Sequence, residues 1–305
     1  MNDRHARPRH HPGFRSDLER MARQPQQQDR RRLLNWLLSG SAAVLVAGCG
    51  GGGSGGSTTT ATANSAGTGT TTGTGTAAGT TATTSSCVLN ATETNGPYPG
   101  DGTNTLNGAA VNALTQTGVM RSDIRGSFGS STTVAAGVPL ALTFNVVNAN
   151  NGCAALANYA VYVWHCDRAG LYSMYSAGVQ NENYLRGIQV TNANGQVTFT
   201  TIFPGCYAGR YPHIHFEVYS SIGMATLGSN ARLISQLALP RDACTTVYAG
   251  ASGYATSANN LNGVSISSDN VFADNAAAQM AQMTAAVSGS VAAGYTGTIT
   301  VGVAA

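Results

Sequence analysis

The run His213-Ile214-His215-Phe216-Glu217-Val218 alternates polar and apolar side chains at every second position. That period belongs to a β-strand, because successive side chains leave a strand on opposite faces. Ile214, Phe216 and Val218 then share an apolar face, and His213 and His215 project together from the other. Two imidazoles on one face of one strand make half of a metal site. Tyr207, six residues before His213, is close enough to fold back as a further ligand.

Other runs carry a similar period. Val138–Val147, Ala160–Cys166, Gln196–Ile202 and a closing run Thr296–Val303 all read as strands, with Asn192-Ala-Asn-Gly195 as a turn between two of them. Short strands separated by Gly- and Asn-rich turns predict a mainly β, antiparallel β-sandwich with short helices and long loops. Ala, Gln, Met and Leu content puts the helices at Asn107–Thr117 and Asp274–Ala286.

The chain divides into three parts: 1–49, 50–86 and 87–305. The first 32 residues hold nine of the 16 basic residues. The remainder of the chain has seven Arg, no Lys and nine Asp/Glu, a net charge of −2, which argues against a nucleic-acid-binding surface. Arg30-Arg31-Arg32 precedes an apolar stretch that suits an export signal and is short for a membrane span. Arg30-Arg31 resembles a twin-arginine signal, and Val46-Ala-Gly-Cys49 resembles a lipobox with Cys49 as the lipidated residue. The expected location is therefore the cell envelope, with the membrane reached only through a lipid anchor; in a Gram-negative host Gly50 after Cys49 favours the outer membrane. Residues 50–86, almost all Gly, Ser, Thr and Ala, read as a flexible tether. Export permits disulfides, and five cysteines follow Cys49, so one thiol at least has no partner in the chain. Cys153 with Cys166, Cys87 with Cys244, and Cys166 with Cys206 are the pairings considered; the sequence does not choose among them.

Several motifs together resemble the intradiol ring-cleaving dioxygenases. They are Gly96-Pro97-Tyr98, Arg121-Ser-Asp-Ile-Arg125, Val163-Trp-His-Cys-Asp167 with Gly170-Leu-Tyr172-Ser, Tyr184-Leu-Arg-Gly187, and above all Thr201-Ile-Phe-Pro-Gly-Cys-Tyr207-Ala-Gly-Arg210-Tyr-Pro-His213-Ile-His215. The resemblance spans roughly 87–300 and is nearest to the secreted, protocatechuate-dioxygenase-like branch. It implies an iron(III) held by Tyr172, Tyr207, His213 and His215. A hard ferric ion suits anionic phenolates, with imidazoles completing the site. It implies that Tyr207 gives way to the substrate, that Arg210 stands over the bound ring and that Gln236 lies beside Arg210. Gly96, Pro97 and Tyr98 would touch the substrate. The implied reaction takes a small aromatic diol and O2 to a cis,cis-muconate-type product. Cys206 and Tyr211-Pro212 depart from the family pattern and bear on the shape of the pocket.

Two alternatives stand beside this reading. His165 could join the His pair in a three-His zinc site, but Tyr172 and Tyr207 would then be unexplained; the family pattern gives His165 a structural role, and Asp167 and Glu217 read as structural or solvated. The chain could also be an envelope-anchored binding module for a metal or an aromatic ligand, without turnover.

Overall fold

A computed structural model describes residues 87–305. The expected leader with Cys49 and the tether 50–86 lie outside the described residues. Eleven strands form two sheets and a separate hairpin among them. The hairpin joins β1 (Asp101–Leu106) to β2 (Ala109–Asn112). One sheet contains β3 (Pro139–Asn148), β4 (Ala154–Ala155), β7 (Gln196–Ile202), β10 (Ala286–Ser290) and β11 (Gly294–Val303). The other has the order β6-β5-β8-β9, from β5 (Ala160–Trp164), β6 (Arg186–Val190), β8 (His213–Tyr219) and β9 (Leu233–Ala238).

The two sheets bury one apolar core between them. Leu140, Leu142, Phe144 and Val146 of β3 and Phe199 of β7 meet Val161 and Val163 of β5 and Ile214, Phe216 and Val218 of β8. Phe144 sits at the centre, edge-on to Phe199 at 6.0 Å and to Phe216 at 5.4 Å. Such edge contacts let the ring quadrupoles add to the burial of area. The alternation expected of β8 is therefore present, and the mainly β sandwich is the fold.

The strand order departs from the expectation in one pair. β11 runs parallel to β3 over Tyr295–Val303, whereas the other strand pairs are antiparallel. A parallel neighbour needs a long connection, and the chain supplies one through three helices, α1 (Arg241–Gly250), α2 (Ala255–Asn262) and α3 (Ala277–Met283). Only α3 coincides with an expected helix, and Ala286 already belongs to β10.

The helix expected over Asn107–Thr117 is absent, and the reason is local. Asn107 and Gly108 adopt φ of 52° and 84°. Positive φ at both central residues is the two-residue turn that matches the twist of a hairpin, and Asn-Gly is its preferred pair. That signal outweighs the helix propensity of the residues after it. The disulfide pairings also differ from those considered. Cys87 bonds to Cys153, while Cys166, Cys206 and Cys244 are free and buried. Cys166 Sγ instead donates to the Gly205 carbonyl, and Cys206 Sγ to that of Arg210.

Candidate metal and substrate site

The site lies on the face of β8 turned away from the core. Strand register sets its first row: Trp164 on β5 and Gln236 on β9 flank His215 on β8. Trp164 stacks on the His215 ring at 4.8 Å, with the planes 8° apart. Gly96 closes the far side of that ring. A Cβ there would stand 3.2 Å from His215 Cε1, and the φ of +72° is one that glycine adopts freely. His215 is therefore placed by packing, because its Nδ1 is buried with no hydrogen-bond partner among the described residues.

His213 is placed by a hydrogen bond. Its Nδ1 donates to the Tyr211 carbonyl at 2.6 Å. A proton on Nδ1 leaves Nε2 with an open lone pair, and that pair points into the site. Nε2 of His215 is 3.1 Å from it, the Tyr207 hydroxyl 3.3 Å and the Tyr172 hydroxyl 3.4 Å.

The two tyrosines arrive on loops. Tyr172 is fully buried, its N–H donating to Ser176 Oγ and its ring 5.0 Å from that of Tyr98. Tyr207 is only partly buried. The segment before it is held by side chains of α1, α2 and their junction. Tyr248 donates to the Pro204 carbonyl, Tyr254 to Phe203 and Asn260 to Cys206, and the Cys206 N–H donates to Ser257 Oγ. Four side chains thus fix the main chain that presents the more exposed tyrosine.

Arg210 completes the group, its Nη1 3.5 Å from His213 Nε2. It is 2% exposed and donates from Nε to Asp269 Oδ2 at 3.0 Å and from Nη2 to Gln236 Oε1 at 2.5 Å. Asp269 is wholly buried, and its oxygens also accept from the N–H groups of Tyr211, Val271 and Phe272. Burial alone would raise the Asp269 carboxyl, but Arg210 and the Tyr211 N–H hold it below the ordinary carboxylate value.

Burial sets the charge state of the other groups. It lowers His213 to about 3 and His215 well below its ordinary value, so both imidazoles are neutral. It raises Tyr207 to about 12 and Tyr172 well above its ordinary value, so without a neighbouring cation both remain phenols. The Nε2 lone pair of His213, the Nε2 of His215 and two phenol hydroxyls thus face one point. Donors 3.1–3.4 Å apart are spaced as they would be around one ion at about 2 Å. A cation there would give both Nε2 atoms a common partner and draw the protons off the phenols, as a bound ion does for its ligands. The residues fit a metal that prefers oxygen and nitrogen. Among the described residues, no group of three or more His, Cys, Asp or Glu forms a metal site.

The comparisons with known proteins bear on this geometry. Residues 125–247 match the family model described as "Dioxygenase", and a similar solved structure is an intradiol ring-cleavage dioxygenase. The fold is that of the intradiol ring-cleavage dioxygenases. The intradiol ring-cleavage dioxygenase from Tetranychus urticae shares 23% identity at a TM-score of 0.53, over 71% of this chain and 95% of that one. A second dioxygenase structure gives the same identity and TM-score over 71% and 94%. The 3-chlorocatechol 1,2-dioxygenase from Rhodococcus opacus, at 16% identity and a TM-score of 0.39 over 69% and 70%, is too distant to argue from. No curated protein matches the chain in sequence.

The fold brings together Tyr172, Tyr207, His213, His215, Arg210 and Gln236, the six residues singled out by the motifs. Gly96 and Tyr98 border them, while the Pro97 carbonyl accepts a hydrogen bond from Asn104. His165 lies apart as a structural residue, bonded to Thr201 Oγ1 at 2.7 Å and to the Cys166 carbonyl at 2.8 Å. Asp167 is structural, accepting from Ala169, Leu171 and Tyr184. Glu217 is buried, with burial and nearby Asp101 pushing its carboxyl well up. Three residues were not anticipated: Asp269, Trp164 as the platform for His215, and Arg186. The Val163-Trp-His motif held the signal for Trp164; Asp269, 59 residues after Arg210, had none.

Proposed function

We propose that this chain is a non-haem, Fe(III)-dependent intradiol dioxygenase that opens a catechol-type ring with O2 to a cis,cis-muconate-type product. The observation that carries the reading is the meeting of two imidazole Nε2 atoms and two tyrosine hydroxyls beside a buried guanidinium. Tyr172, Tyr207, His213 and His215 would hold the metal. Bound there, a ferric ion supplies a hard, electron-poor centre that takes both catechol oxygens and makes the ring open to O2.

The roles of the chain's own groups come from their placement. Tyr207 is the ligand suited to leave, being partly exposed and carried on a loop, and as a phenolate it accepts a catechol proton. Tyr172, buried and packed on Tyr98, stays. His213 keeps its lone pair on the site because Tyr211 holds its proton. Arg210 presents a fixed positive charge to the ring, where negative charge develops, and Asp269 and Gln236 keep it from turning away.

The leader and tether would place this activity outside the cytoplasm, on a lipid anchor at Cys49. The Cys87–Cys153 bond supports an oxidising compartment. The likeness to the secreted, protocatechuate-dioxygenase-like branch rests on the motifs.

The test is a visible spectrum of the iron-loaded protein before and after anaerobic catechol, followed by Tyr207→Phe. A tyrosinate-to-iron band that moves to longer wavelength with catechol is expected. Tyr207→Phe should lower turnover by about 100-fold or more. A colourless, folded protein, or one whose ligand binding is unaffected by Tyr207→Phe and which never cleaves the ring, is a binding module and ends this reading.

A further inference from the structure

Strand register carries the row of Trp164, His215 and Gln236 one place further, to Arg186 on β6 opposite Trp164. The two ends of this row are long polar side chains, and both bond to the same segment. Gln236 Nε2 donates to the Thr94 carbonyl at 2.8 Å. Arg186 Nη2 donates to the Tyr98 carbonyl at 2.9 Å, and Nη1 to that of Pro99 at 2.7 Å. The stretch from Thr94 to Pro99 is thus a strap tied at both ends, and Gly96 between the ties lies against the His215 ring.

The Arg186 end has a second hold. Nη2 also donates to the Ser173 carbonyl at 2.9 Å, and Nε to Ser173 Oγ at 3.1 Å. Ser173 follows Tyr172 in the chain and donates in turn to the Tyr184 carbonyl. The remaining donor meets Tyr162 Oη at 3.3 Å. One guanidinium therefore joins the main chain at Tyr98 to the main chain beside Tyr172, and the two rings so carried pack at 5.0 Å. Gly100 permits the approach, since a Cβ there would stand 2.8 Å from Arg186 Nη1.

Arginine is a costly way to fasten two loops. Arg186 is 1% exposed and, among the described residues, forms no ion pair, so its charge is buried against neutral acceptors alone. What it offers in return is a rigid, planar set of five donors, enough for both loops at once. The segment of Tyr207 has no such clamp: four neutral side chains hold it, one bond each.

We propose that Arg186 is a positioning residue for the buried ligand. It fixes Tyr172 and the Tyr98 wall as one unit, so that Tyr172 keeps its place when Tyr207 yields. The inference rests on the ferric intradiol reading for the roles of the two tyrosines, and on the bonds above for their coupling to Arg186.

The experiment compares the full chain with two variants. Arg186→Lys keeps the charge and offers three donors to five acceptors; Ser173→Ala removes one acceptor, on the Tyr172 side only. Amide hydrogen exchange is followed by NMR on the metal-free proteins. Ferric-ion affinity, and the visible spectrum with catechol in the absence of oxygen, are measured on the loaded ones. The probes are the Gly100 N–H, bonded to Tyr175 Oη, the Tyr172 N–H, bonded to Ser176 Oγ, and the Cys206 N–H beside Tyr207. Arg186→Lys should speed exchange at Gly100 and Tyr172 by at least about 10-fold and leave Cys206 as it was. Its iron affinity should fall by about 10–100-fold, and the band of its catechol complex should move. Ser173→Ala should speed Gly100 as well as Tyr172, and should add nothing at Gly100 once Arg186 is Lys. Exchange that quickens equally at Cys206, or folded Arg186→Lys protein with iron affinity and spectrum within a few-fold of the parent, would overturn the proposal, because Arg186 would then serve the domain as a whole. So would a Ser173→Ala effect confined to Tyr172. A parent chain that stays colourless and takes up no iron fails at the earlier step, the ferric reading, and the exchange rates still decide the coupling.

Discussion

The two faces of β8 are equally buried and chemically opposite. All seven residues from His213 to Tyr219 are withdrawn from water. Ile214, Phe216 and Val218 meet the other sheet through contacts that ask only for volume and shape. His213 and His215 meet loops, and each neighbouring polar group there needs a named partner: Tyr211 for His213, Asp269 and Gln236 for Arg210, and main-chain carbonyls for Arg186. A buried polar group without a partner is costly, so the second face needs far more of the chain to build it. Three exceptions, His215 Nδ1, Trp164 Nε1 and Glu217 Oε1, are all on this face. One strand thus carries stability on one side and chemistry on the other, and substitutions on the two sides should separate these properties.

Phe216→Ala is the largest test. It removes a ring packed against Phe144, and urea or thermal unfolding should show a loss of about 3–5 kcal/mol. The folded fraction of this variant should retain its metal site, because no ligand is touched. A change in metal affinity with little loss of stability would break the division between the faces.

Arg210→Ala should lower turnover by about 10²–10³-fold, the cost of losing a fixed charge at a reacting centre. It should also weaken the fold, because Asp269 is left buried and unpaired. Arg210→Met combined with Asp269→Asn should recover part of the stability and not the turnover, because the buried charge is removed while an amide oxygen still accepts from the Val271 and Phe272 N–H groups. Recovery of both would mean that the guanidinium serves packing alone.

The smallest effect concerns His165, a buried polar residue outside the reaction. Burial lowers it from 6.5 to about 4. The unfolded chain therefore takes up a proton first as the pH falls, so the stability this residue contributes is complete above about 6.5 and is lost on the way down to about 4. The loss is about 3 kcal/mol on the scale of 1.36 kcal/mol per pKa unit. In His165→Gln the slope of unfolding free energy against pH over that window should fall by about one proton's worth. An unchanged slope would show that His165 is already charged in the folded protein.

The sequence by itself determined the strand period of β8, the common face of His213 and His215, and the turns that carry Tyr172 and Tyr207. These are local: they come from the geometry of neighbouring residues and from motifs a few residues long. Even the unanticipated hairpin was legible at Asn107-Gly108, where the turn preference of two residues sets the chain direction. Only the tertiary structure decided that Asp269 reaches Arg210, that α1 and α2 grip the segment before Tyr207, that β11 runs parallel to β3, and that Cys87 pairs with Cys153. Each of these joins residues dozens of positions apart. Many buried groups could have satisfied the same donor or thiol, and packing of the whole domain selects the one that comes within reach.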